Sequence, residues 1–151
     1  KENTQKVIDA ILREKDPKGF HGFLILDMDH FKEVNDVYGH VMGDNVLKML
    51  GSFLKEQFRE QDVIGRIGGD EFVILLCSIG SRENMENRIK DLHEKLREIH
   101  MEGMEEYTFS FSAGIAFAPQ DGDTFMELYQ KADLALYQVK RSGRNGYRIY
   151  K

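Results

Sequence analysis

The chain reads as an α+β domain on a ferredoxin-like β-α-β-β-α-β core, with an added N-terminal helix and a C-terminal edge strand. Three observations predict this. Helix-type and strand-type apolar periodicities alternate along the whole length, with no repeat, low-complexity tract or linker. The pair Gly68-Gly69 separates two short apolar runs, 63–67 and 72–77, and marks a hairpin in mid-chain. Phe109, Phe111, Ala113, Ile115 and Phe117 alternate with Ser110, Ser112 and Gly114, the period of a strand.

Each element follows in order. Val7, Ile8, Ile11 and Leu12 form a short helical stripe. Phe23-Leu24-Ile25-Leu26 is a continuous apolar run, as in a strand buried on both faces, and it stops at Asp27-Met28-Asp29. A short helix is expected from Phe31, with Asp29 or His30 at its start, and Tyr38-Gly39-His40 reads as a turn. Val46, Leu47, Leu50, Phe53, Leu54 and Phe58 line one face of a longer helix. In the hairpin, the paired glycines are expected to supply the positive φ of a tight turn. Met85, Ile89, Leu92, Leu96 and Ile99 step as a helix. Phe125, Leu128, Tyr129, Ala132, Leu136 and Val139 form the last one, closed by Ser142-Gly143. Residues 147–150 add an edge strand. Setting the first helix aside and merging the two after the first strand leaves β-α-β-β-α-β, a sheet with helices on one face. Many functions use that plan, so function must be read from the site.

Length bounds the chain to a single domain, residues 1–151. Hydrophobic residues make up 41% and charged residues 31%, an ordinary globular balance. The net charge of −5 makes a poor partner for nucleic acid polymers. A phosphorylated ligand would therefore require a metal ion or a local basic cluster. No apolar run approaches the ~20 residues of a membrane helix, so this domain is expected to make no membrane contact. Cys77 is the single cysteine, which rules out an internal disulfide, and no signal peptide is visible at Lys1-Glu2-Asn3-Thr4. A cytoplasmic location is expected for the domain, with any membrane anchor belonging to the rest of a parent protein.

The chemistry sits where two acidic clusters meet. Asp27 and Asp29 end the first strand, and Asp70 and Glu71 follow the Gly-Gly turn. In this core the first strand is central and lies beside the hairpin, so the acids can converge. Mg²⁺ takes carboxylate oxygens together with substrate phosphates. Taken singly, each piece has a plainer reading. Asp29 or Asp44 can cap the helix that follows it, and Gly-Gly-Asp can be only a turn.

Gly68-Gly69-Asp70-Glu71-Phe72 spells GGDEF, a word expected by chance in about one in ten thousand chains of this length. Leu26-Asp27-Met28-Asp29-His30-Phe31-Lys32, Asn35-Asp36, Tyr38-Gly39-His40 and Gly43-Asp44 precede it. Ala132-Asp133, Ala135-Leu136-Tyr137, Lys140 and Gly143-Arg144-Asn145 follow. In order and spacing the chain resembles the GGDEF domain, the catalytic domain of bacterial diguanylate cyclases. The family's opening DxLTGLxNR segment is missing. The resemblance thus implies a domain lacking its first few residues and an upstream sensory or receiver region.

The resemblance implies condensation of two GTP molecules into cyclic di-GMP and two pyrophosphates, by a homodimer in which each domain holds one GTP. It implies Mg²⁺, with Mn²⁺ as an alternative, bound by Asp27, Asp70, Glu71 and the Met28 carbonyl. Asp70, Glu71 and Lys32 are the implied catalytic residues. GTP would be held by Phe31, Lys32, Asn35, His40, Asp44, Lys140 and Arg144, with Asn35 and Asp44 reading guanine and His40 a turn residue that packs or hydrogen-bonds. Arg59 and Asp62, an RxxD five residues before Gly68, match the family's inhibitory product site, with Arg88 as a second arginine. The competing readings are a non-catalytic GTP or cyclic di-GMP sensor and a purine nucleotidyl cyclase with another product.

Overall fold

The computed structural model describes residues 2–14 and 19–151. Its elements run α1 (Glu2–Arg13), β1 (His21–Met28), α2 (Phe31–Tyr38), α3 (His40–Gln57), β2 (Val63–Gly68), β3 (Glu71–Leu76), α4 (Arg82–Arg97), β4 (Phe111–Ala118), α5 (Phe125–Arg141) and β5 (Gly146–Ile149). The strands form one sheet in the order β2-β3-β1-β4-β5. β1 is antiparallel to both its neighbours, and β5 joins β4 in parallel at the edge. The first four strands are thus the ferredoxin-like arrangement expected, with α1, α5 and β5 as additions.

The apolar run of β1 is buried at every position, which its central place explains. Leu24, Leu26 and Met28 enter one core with Val34, Val46, Leu50, Met85, Ile89 and the phenylalanines of β4. Phe23 and Ile25 enter a second with Ile8, Phe125, Leu128, Ala132 and Leu136. Helices therefore cover both faces, where one was expected. α2, α3 and α4 share one face as the core plan requires, and α1 and α5 close the other. Burying both faces of an eight-residue strand removes far more apolar surface from water than burying one.

α5 lies on the sheet at backbone distance. A Cβ on Gly114 would collide with the Ala132 carbonyl and the Leu136 amide, so only glycine fits there. Thr124 caps α5 by accepting from the Glu127 amide at 3.2 Å, and Asp9 of α1 accepts from the Phe125 amide at 2.8 Å. Ser81 caps α4 likewise.

Three local expectations are corrected. α3 begins at His40, before its apolar stripe, and α4 ends at Arg97, leaving Ile99 outside the helix. Neither Gly68 nor Gly69 has positive φ. The hairpin turns through Gly69-Asp70 with a register shift between Arg66 and Gly68, and nothing lies within 4 Å of where a Cβ on either glycine would sit. Open space, rather than left-handed backbone, is what these glycines provide.

Candidate active site

Asp27 ends the central strand and pairs in register with Glu71, the first residue of β3. Cross-strand partners share a face, so both carboxylates lie on the α5 side of the sheet, with Asp70 beside them in the turn. The Asp27 side chain is 12% exposed. Its Oδ2 accepts from the Lys140 ammonium, which arrives from the last turn of α5, and its Oδ1 is buried without a partner. Asp70 comes within hydrogen-bonding reach of Asp27. Two ionised carboxylates offer no donor to each other, so that contact is a hydrogen bond only when Asp70 holds a proton. Burial first, then Asp27, push the Asp70 carboxyl up to about 6.

The Glu71 carboxylate is held by the Tyr129 hydroxyl of α5. Burial and the Glu71 charge both push that hydroxyl upward, so it remains a donor. Tyr129 is a site residue that sequence reasoning missed, having counted it only as part of an apolar stripe. Met28 points its side chain into the core, leaving its backbone carbonyl as the available donor.

An unsatisfied buried carboxylate oxygen beside a second carboxylate that resists ionising is the electrostatic signature of a cation site. Among the described residues no three His, Cys, Asp or Glu side chains form a ready-made cage. A pair of carboxylates suits Mg²⁺, which keeps most of its coordination for phosphate and water.

Across the strand tip, α2 starts at Phe31 behind His30, whose φ of 59° turns the chain into the helix without a side-chain cap. Its first-turn amides thus point outward with no capping partner. Asn35 lies over α3 at Gly43, where a Cβ would collide with the Asn35 Oδ1 and meet the Phe31 ring. Asp44 is exposed and sits one turn inside α3, whose cap position is Gly39, so the capping reading for Asp44 falls away. His40 and Lys32 are exposed.

Asp29 is neither a helix cap nor part of the acidic tip. It is 3% exposed, and its oxygens accept from Ser112 and Ser110 hydroxyls, each at 2.6 Å, and from the Asn145 amide at 2.9 Å. Arg144, next to Asn145, is exposed.

Arg59 and Asp62 are brought together, away from the acidic tip and ahead of β2. The Asp62 side chain is fully buried and accepts from the Arg59 backbone amide at 3.0 Å, the Arg59 guanidinium at 3.2 Å and the Cys77 amide at 3.0 Å. The guanidinium also donates to the Cys77 carbonyl at 2.6 Å. The pair is a cross-link between the start of β2 and the end of β3, with Arg59 as its accessible half. Arg88 of α4 stacks on Phe58 and donates to the Gln57 carbonyl at 2.9 Å, just ahead of Arg59 in the chain.

The ferredoxin-like sheet, which brings carboxylates to adjacent strand tips beside an uncapped helix start, has the fold of GGDEF domains. The family model for the diguanylate cyclase GGDEF domain matches residues 3–146, and the chain belongs to that family. It is 41% identical over 126 residues to the bifunctional diguanylate cyclase/cyclic di-GMP phosphodiesterase MucR of Pseudomonas aeruginosa, covering 82% of this chain and 18% of MucR. It is 35% identical over 147 residues to the diguanylate cyclase DgcS of Shewanella oneidensis, covering 97% and 48%. The chain thus spans less than half the length of these curated relatives. Among solved structures it superposes on the GGDEF domain of YfiN (TpbB) from Pseudomonas aeruginosa with a TM-score of 0.92 at 30% identity, over 100% of this chain and 95% of that one. The active GGEEF domain of a diguanylate cyclase from Vibrio cholerae gives 0.87 at 27%, over 100% and 96%. No helix among the described residues is long and apolar enough to cross a membrane.

Proposed function

We propose that this domain condenses two GTP molecules into cyclic di-GMP with release of two pyrophosphates. The observation that carries the reading is the Asp27–Asp70 pair, a buried carboxylate oxygen without a partner beside an acid held protonated up to about 6. Asp27, Asp70 and the Met28 carbonyl would hold Mg²⁺ or Mn²⁺. Such an ion supplies charge neutralisation at the α-phosphate and acidifies the attacking 3′-hydroxyl. Glu71, steadied by Tyr129, is the group on this chain suited to receive the hydroxyl proton.

The remaining residues bind and orient. The outward amides at the start of α2 suit phosphate oxygens, with Phe31 at the same helix start and Lys32 and Arg144 adding charge. Lys140 offsets the acids until a cation does. Asp44 accepts from guanine N1–H and N2–H₂, and Asn35 adds a second polar group, while His40 flanks them on α3. Adenine offers no N1 donor, so the same carboxylate would reject it. In the reaction each 3′-oxygen forms a bond to the other nucleotide's α-phosphorus as a pyrophosphate leaves. One domain holds one nucleotide, so two copies must face each other, and a partner region in the parent protein, sensory or receiver, would govern that approach. Arg59, held in place by the buried Asp62, and Arg88 are read as the site where cyclic di-GMP binds and restrains its own synthesis.

Incubation with GTP and Mg²⁺ followed by mass spectrometry of the products tests the reading. Cyclic di-GMP and pyrophosphate are expected. GTP bound but unchanged would make the domain a sensor, and a cyclic mononucleotide would make it another kind of cyclase.

A further inference from the structure

The chain leaves α5 through an unusual turn. Gly143, Arg144 and Asn145 have φ of 106°, 66° and 50°, three consecutive residues in the left-handed region. Glycine adopts it freely and asparagine tolerates it, but arginine does so only when its surroundings enforce it. The Ser142 and Arg144 amides donate to the Val139 carbonyl, at 3.1 and 3.0 Å, which ties the near side of the turn to the helix. On the far side the Asn145 amide donates to Asp29 Oδ2 at 2.9 Å.

Asp29 is built to hold that amide. Its own N–H donates to the Ser110 carbonyl at 3.0 Å, which locks its backbone to the start of β4. Ser112, wholly buried, donates to Oδ1, and Ser110 donates to Oδ2 beside Asn145. Three neutral donors around one buried carboxylate satisfy it without a cation. The tip of the central strand, the start of β4 and the Arg144 turn thereby share one anchor.

We infer that Asp29 is a positioning residue for Arg144, fixing the left-handed turn that presents the guanidinium to the nucleotide's phosphates. This rests on the GTP-binding reading above. The plainer alternative is that Asp29 only ties β1 to β4. Preorganising a long side chain removes ordering cost from binding, so losing the anchor should weaken the triphosphate and spare what Arg144 does not touch.

The test is calorimetric binding of a non-hydrolysable GTP analogue with Mg²⁺ to the wild type, Asp29→Asn, Arg144→Ala and the double variant. Asp29→Asn keeps the shape and replaces one acceptor by a donor. It should weaken the analogue ~10-fold, the scale of one charge-assisted contact. In the Arg144→Ala background the same change should do nothing further, because a residue acting through Arg144 has nothing left to act on. The Asn145 amide resonance should shift in Asp29→Asn while the melting temperature still reports a folded domain. Unchanged affinity in Asp29→Asn overturns the inference. So does a full additional loss in the double variant, which would place the effect elsewhere. Absence of binding by the wild type would sink the GTP reading itself, a different failure seen in a different sample. Should Asp29→Asn not fold, Ser110→Ala strips one donor from the oxygen that holds Asn145. In the same cycle it should weaken the analogue only while Arg144 is present, and unchanged affinity or a full additional loss would again overturn the inference.

Discussion

Lys140, in the last turn of α5, places its ammonium on Asp27 at the tip of β1, and takes only one of the two carboxylate oxygens. The ion pair spans 113 residues of sequence and makes α5 the source of the charge that lets Asp27 be buried. Lys140→Met should therefore leave the acidic tip uncompensated. In the absence of divalent cations the variant is expected to lose about 1–3 kcal/mol of stability by urea denaturation, the usual cost of an unsatisfied buried polar group. Mg²⁺ should restore more stability to the variant than to the wild type. Equal urea midpoints in the two proteins would show that Asp27 does not depend on Lys140.

Asp70 makes stability depend on pH in an unusual direction. Its carboxyl rises from 3.8 to about 6 on folding, chiefly by burial and then by Asp27. Between those values the folded state holds a proton that the unfolded state has released, so stability falls as pH rises through the window. His93, stacked on Phe111 and pushed down to about 4 by burial, acts oppositely, costing stability as pH falls from 6.5. The useful quantity is thus the difference between wild type and Asp70→Asn in metal-free buffer. The wild type's melting temperature should drop relative to the variant's from pH 4 to 6. A constant difference would mean that Asp70 holds no extra proton in the folded state.

Nucleotide choice should lie on α3. Asp44→Ser is expected to reduce discrimination of GTP over ATP by at least ~10-fold, since the carboxylate that pairs with guanine's two donors is gone. Melting should change little, because Asp44 is exposed and caps nothing. Competition binding with the two nucleotides measures it, and retained selectivity would move guanine recognition away from this helix.

Arg59 and Asp62 should separate under mutation. Asp62→Ala strands the buried Cys77 amide and the Arg59 amide, so it is expected to cost roughly 2 kcal/mol or more and to report on the fold rather than on a ligand. Arg59→Ala removes the accessible half but leaves Asp62 its two backbone donors, so it should still fold, at a cost of about 1 kcal/mol. Titration with cyclic di-GMP is expected to show tight binding by the wild type and at least ~10-fold weaker binding by Arg59→Ala, with GTP affinity unchanged. Equal cyclic di-GMP affinity would leave Arg59 as a structural cross-link alone.

Periodicity and turn residues along the chain determined the ten elements of the described residues and their order, because burial at a period of 2 or 3.6 marks residues locally. The motifs around Asp27 and Gly68 likewise pointed to one acidic tip, since the ferredoxin-like plan sets the first strand beside the hairpin. Other relationships needed the fold. Asp27 and Asp29 look alike two residues apart, yet one keeps a bare oxygen and the other is saturated by Ser110, Ser112 and Asn145. Tyr129 read as one more apolar position until α5 brought it to Glu71, and Asp62 read as half of a product site until Cys77 was brought to it. A carboxylate's role depends on which donors surround it and how much water is excluded. Those donors come from residues far away in sequence, so only the tertiary structure, by choosing its neighbours, decides whether an acid is a clamp, a cross-link or a cation site.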